Sequence, residues 1–293
     1  MLEAAACIAK ARSAISCAAS IEALPDLGMN LLLDLLPLLS LIPASLQALR
    51  REPRRDVLFW ATIAIAVAGP AARASVYIPG PWQTGFSATL WATVAVSTVL
   101  YAGIAAITDQ AWRLAPLLAM YMFLLGLAAV VWQTAPGSPL IADPRISGWI
   151  AAHIAISIIT YGIVTIAAVA ALAAFIQERA LKRRRAAAMT RFLPSVADCE
   201  FLVVRLLLVG EGILGIGLVT GMFLASRETG QVLPFDHKTV LTLAAFVVIA
   251  GLLIAHYRSG MRGRRAARVV LLAYLLLTLG YPGVKFVTGV LMA

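Results

Sequence analysis

A chain of 293 residues with 61% hydrophobic and 13% charged residues and a mean hydropathy of +0.91 has the wrong balance for a water-soluble domain, which carries about twice this charge. In lipid, backbone groups must bond within helices and apolar side chains need no watery face, so the composition predicts an all-α polytopic membrane protein with no room for a sizeable soluble domain. The net charge of +10 does not point to nucleic acid as a partner. The basic residues cluster in short loops between apolar runs, as on a cytoplasmic membrane face, and the expected partner is the lipid bilayer.

In chain order, residues 1–26 form an alanine-rich extension with Glu3, Lys10, Arg12 and Glu22. It lacks the ordered charged, apolar and small-residue regions of a signal peptide and is expected to be weakly ordered. Eight apolar stretches follow, at 28–49, 57–77, 86–107, 112–132, 147–177, 201–225, 237–257 and 266–291. Each is near or above the length that crosses a bilayer. This divides the chain into a first set of four spans within 27–135 and a last set within 147–293. The fifth stretch is long enough to continue past the membrane as a helix.

Loop charges predict the orientation. The loops after spans one, three, five and seven hold sixteen Lys and Arg, and the alternate loops hold four, Arg73, Arg145, Arg227 and Lys238. The rich set belongs in the cytoplasm. Both termini are then expected on the outer, periplasmic side of a bacterial-type inner membrane.

The sequence holds no GxxxxGK[ST] phosphate loop, no HExxH, no GxSxG and no CxxCH, so common hydrolase, nucleotide-binding and covalent haem-attachment chemistries find no support. Cys7, Cys17 and Cys199 make no CxxC pair, and Cys199 is expected on a basic loop. The expectation is a protein that is not an enzyme.

The three histidines are the first candidates. His237 and His256 bracket the seventh stretch, 19 residues apart, which is roughly 28 Å along a helix and about one hydrocarbon core. With the predicted orientation, His153 and His237 share the outer face on different helices, and His256 lies at the cytoplasmic end. Two imidazoles from different helices hold a haem iron axially; histidines at helix ends also sit in the headgroup region with no ligand, and spacing leaves both readings open. Ser157, Thr160 and Tyr161 follow His153 down its helix face, either lining a site or bonding a neighbour. Asp236 and Lys238 flank His237.

Glu211 is the most expensive charge. It lies about 10 residues into the sixth stretch, where an ionised carboxylate costs about 3 kcal/mol on insertion scales, so it is protonated, paired or facing water. It is either a proton or ligand contact or a carboxyl hydrogen-bonded to a neighbouring helix. Gly210, Gly212, Gly215, Gly217 and Gly221 give this span a small-residue surface for close packing.

Three blocks in order carry a resemblance: HIAISIITYGIVTIAAVAALAAFIQERALKRR from His153, LPSVADCEFLVVRLLLVGEGILGIGLVTGMF from Leu193, and HKTVLTLAAFVVIAGLLIAHYRSGMRGRRAARVVLLAYLLLTLGYPGVKFV from His237. Over about residues 147–289 the chain resembles the cytochrome c assembly protein family, the haem-handling CcsA/CcmC type, and most closely its short YpjD-like inner-membrane branch. The resemblance implies haem as cofactor, cytochrome c biogenesis as the task and other assembly components as partners. By the same resemblance His153 is similar to the family's external histidine, and His256 to its transmembrane histidine before a basic loop. Larger members carry a WGxxWxWD segment before the seventh span; here SRETGQVLPFDHKT from Ser226 holds no tryptophan. That departure, with Glu211, motivates the alternative of a haem-free accessory or ion-transport-linked membrane protein. A third reading makes the glycine face a docking surface.

Overall fold

The computed structural model describes residues 33, 35–50, 54–76, 85–133, 148–183, 190, 192–230 and 236–287. The extension at 1–26 lies outside them. The described residues form helices and no strand: α1 (Leu35–Leu49), α2 (Val57–Ser75), α3 (Phe86–Ile107), α4 (Ala111–Val131), α5 (Gly148–Arg183), α6 (Val196–Thr229), α7 (His237–Ser259) and α8 (Arg264–Gly283). The last seven are long and apolar enough to cross a membrane, and α1 is a shorter apolar helix. One helix therefore stands in each of the eight expected stretches. The loop between α5 and α6 is shorter than expected because α5 runs 36 residues and α6 starts earlier. Cys199, expected on a basic loop, lies instead in the first turns of α6 and is fully buried.

The helix ends follow local chemistry. Asp56 caps α2 by accepting from the Phe59 N–H at 2.9 Å. Asp236 caps α7 by accepting from the Thr239 N–H at 2.8 Å. Ser195 accepts from the Asp198 N–H at 3.2 Å to open α6. Each satisfies a backbone donor that the helix leaves free. Gly230 and Gly260 close α6 and α7 with φ of 72° and 65°, left-handed positions that a Cβ disfavours.

α5 is the axle of the bundle. It packs on α3, α6, α8 and α4, and 83% of its most apolar window is buried. Its longest seam is with α6. There a Cβ on Gly210 would stand 3.3 Å from Val164, one on Gly217 3.3 Å from Ile156, and one on Gly221 3.0 Å from His153. Those three glycines bring the backbones together, which is how membrane helices gain packing without a hydrophobic drive. The expected single glycine face is divided: Gly215 points at Phe246 of α7, and Gly212 meets nothing within 4 Å.

A buried polar cluster ties α4, α5 and α8. Tyr121 bonds Tyr274, Tyr274 bonds Tyr161 at 3.0 Å, and Tyr161 bonds Thr278 at 3.2 Å. Thr278 donates its proton to the Tyr274 carbonyl at 2.8 Å. With that proton on the carbonyl, Thr278 accepts from Tyr161, Tyr161 from Tyr274, and Tyr274 from Tyr121. Just beyond, residues Leu279–Gly283 form a π-helical turn containing Pro282, the kind of insertion that proline provokes.

Candidate functional site

The histidines occupy three different settings. His153 lies in the second turn of α5, half-buried in the seam with α6. Its Nδ1 is 3.0 Å from the Thr220 hydroxyl, and that hydroxyl donates to the Gly217 carbonyl at 3.0 Å. With the Thr220 proton on that carbonyl, its oxygen accepts from His153 Nδ1–H. A neutral ring then keeps a lone pair on Nε2. Ser157 and Thr160 do not line a site: their hydroxyls donate to the His153 and Ile156 carbonyls of their own helix, each at 2.8 Å. Tyr161 turns to α8.

One turn before His153, Trp149 meets Phe223 of α6 with ring centroids 5.7 Å apart, and the Arg227 guanidinium sits over Phe223 at 5.3 Å. Trp149 is 59% and Phe223 43% exposed. Sequence reading missed these residues and Thr220; a tryptophan four positions before a candidate ligand, on the same helix face, was the available signal.

His256 lies in the last turn of α7. Its Nδ1 is 3.1 Å from the Met261 carbonyl. A carbonyl only accepts, so Nδ1 carries the proton and a neutral ring again leaves Nε2 bare. His256 lines a cleft with a cavity volume of about 30 Å3, walled mainly by apolar residues of α5, α6, α7 and α8, with Glu200 and Arg262 also lining it. The loop wall is held from two helices. Gly263 N–H donates to Glu200 Oε1 at 2.7 Å, and Arg264 Nε donates to Glu178 Oε2 at 3.2 Å.

His237 begins α7 and is exposed. No hydrogen bond or ring contact of its side chain, and no cavity, joins it to His153 or His256 among the described residues. The neighbouring Asp236 cap is ordered. Burial works to raise its pKa, but hydrogen bonds from Thr239 and the nearby Lys238 and His237 hold it below the usual carboxylate value.

Glu211 stands 15 residues into α6, roughly 22 Å along it and near its midpoint, deeper than the sequence stretch implied. Both carboxyl oxygens are shielded and have no hydrogen-bond partner among the described residues. The neighbouring-helix bond expected of a structural carboxyl is not made there.

His153 packs at Gly221 and the cleft begins at Glu200. Those α6 positions lie 21 residues apart, roughly 31 Å along the helix, so one iron does not bridge both histidines. The residue type at each fits a haem iron: an imidazole that, when neutral with Nδ1 donating to its partner, presents a bare Nε2. The volume beside His256 is too small for a macrocycle, so ligation there requires the cleft to open.

Fold and site together define a multi-pass helical membrane protein with one histidine held through its Nδ1 toward each end of its last four helices. The chain belongs to the cytochrome c assembly protein family, whose model matches residues 83–291. The match takes in α3 and α4, which the resemblance read from residues alone left outside. The chain is 48% identical over 271 residues to the 28.8 kDa protein in the nifR3-like 5'region of Azospirillum brasilense, covering 91% of this chain and 100% of that protein. It is 29% identical over 189 residues to the inner membrane protein YpjD of Escherichia coli K12, covering 63% and 67%. It is 23% identical over 207 residues to the cytochrome c biogenesis protein CcsA of Synechococcus sp. CC9902, covering 61% and 67%. No solved structure matches.

Proposed function

We propose that this protein binds haem in a bacterial inner membrane and handles it for cytochrome c biogenesis, as an assembly factor and not as an enzyme. The observation that carries the reading is the matched setting of His153 and His256, each with Nδ1 in a hydrogen bond and Nε2 without one among the described residues. The positive-inside rule puts His256 on the cytoplasmic side and His153 on the periplasmic side. On that reading there is one binding position toward each face. At the periplasmic position the exposed Trp149–Phe223 pair offers an apolar aromatic surface to a macrocycle, and Arg227 offers a cation to a propionate. At the cytoplasmic position Arg262 takes the second part. His237 has no partner orienting its ring among the described residues and is the weaker of the two periplasmic candidates. The family and its CcsA-named members support haem as the cargo, and the YpjD relative supports the inner membrane.

The test is the absorption spectrum, oxidised and reduced, of protein purified from haem-replete cells. A Soret band is expected, reduced in His153→Ala and in His256→Ala and retained in His237→Ala. Absence of the band in folded protein, loaded under conditions that fill a CcsA relative, would overturn the reading.

Glu211 favours a second reading, a haem-free ion-linked accessory, because its shielded carboxyl has no partner among the described residues. Altered ion tolerance in Glu211→Gln with no haem phenotype supports it; normal tolerance removes it.

A further inference from the structure

We propose that Glu200, on α6, is the positioning residue that sets the tautomer of His256 on α7. The inference rests on His256 being a ligand for its purpose, but not for its test.

The α7–α8 connection has an unusual backbone. Gly260 sits at φ 65° and donates its N–H to the Ala255 and His256 carbonyls. Gly263 sits at φ 68°, ψ −145°, a region open to glycine and costly to other residues. Between them, Met261 turns its carbonyl back to His256 Nδ1 at 3.1 Å. The Met261 N–H also reaches back, to the Ala255 carbonyl at 3.5 Å, so the start of the loop is tied to α7, and its far side at Gly263 and Arg264 is held from outside. Two carboxylates from other helices hold it. Glu200 Oε1 takes the Gly263 N–H at 2.7 Å, and Glu178 takes the Arg264 side chain at 3.2 Å.

The two grips differ in what they control. Glu178 holds a side chain, which can pivot while the backbone stays. Glu200 holds the backbone two residues beyond the Met261 carbonyl, at the N-terminus of α8, where a carboxylate also meets the positive end of the helix dipole. Glu200, Met261 and His256 line one cleft. Releasing Glu200 frees Gly263 and lets the Met261 carbonyl leave Nδ1. A neutral imidazole without an acceptor prefers its proton on Nε2, which would occupy the nitrogen that ligation needs.

The experiment uses full-length, haem-free protein with 15N-labelled histidine in lipid nanodiscs, and reads the ring nitrogen shifts. In the wild type, His256 is expected with Nδ1 protonated and Nε2 bare. In Glu200→Ala, and in Glu200→Asp, whose carboxylate is one methylene short, the Nε2-protonated form becomes the majority. Glu200→Gln keeps an accepting Oε1 and retains the wild-type pattern. The His153 signals stay unchanged throughout and report that the bundle is intact. If Glu200→Ala does not assemble, Glu200→Asp decides. A wild-type Nδ1–H pattern in the assembled variants, or failure of Gln to rescue, overturns the proposal. Because no haem is present, a missing Soret band would sink the haem reading and leave this result standing.

Discussion

The two ends of the bundle fix a histidine by opposite means. His153 leans on a side chain of another helix, Thr220, across a seam that Gly217 and Gly221 make close. His256 leans on a backbone carbonyl five residues along its own chain, in a loop pinned from elsewhere by Glu200. The first arrangement is as rigid as the α5–α6 packing. The second is as rigid as a four-residue loop and the grip on it. The same chemical state, Nδ1–H with a bare Nε2, is thus built once by helix packing and once by a clamped turn, so the two can be broken separately.

The strongest break is at the seam. Gly221→Leu drives a branched side chain into the His153 ring, since the Cβ alone would stand 3.0 Å from Cε1. Overpacking of this kind costs about 1–3 kcal/mol, and thermal unfolding in detergent should show it as a lower Tm. The His153 signals should shift and those of His256 should not. Next is the turn. Gly260→Ala places a Cβ at φ 65°, at a cost of about 1–2 kcal/mol, and should disturb His256 alone. Smaller still is Thr220→Val, which keeps the shape and removes the acceptor, for about 1 kcal/mol. Here His153 should move to Nε2–H with Tm nearly unchanged, a reading that separates tautomer from packing.

The smallest effect lies away from both histidines and serves as a control. Arg50 donates to Asp56 at 3.1 and 2.8 Å, and that hydrogen bond, with the one from the Phe59 N–H, lowers the Asp56 pKa to about 2. A depressed carboxyl stabilises the fold above its unfolded value, near 3.9, and loses that contribution as pH falls toward 2. Carboxyl NMR should show Asp56 still ionised at pH 3, while the ring signals of both histidines stay blind to Asp56→Asn.

The fold was legible because each span needs about 20 apolar residues in a row, and the runs at 57–77 and 86–107 differ from α2 and α3 by no more than two residues. The site was legible only in part. His153, His237, His256 and Glu211 stood out as rare polar residues in or beside apolar runs. What holds them did not, because Thr220 is 67 positions from His153 and Glu200 is 63 from Gly263. Such partners are chosen by helix packing, which one-dimensional periodicity does not encode. The tyrosine cluster was hidden in the same way, its members arriving from α4, α5 and α8.

That cluster gives the interior a grain. With the Thr278 proton spent on a carbonyl, its protons run one way, from Tyr121 through Tyr274 and Tyr161 to Thr278. No hydroxyl along the line has a hydrogen left to give. Three helices are thus joined in the apolar interior by hydroxyls alone, with no charge involved.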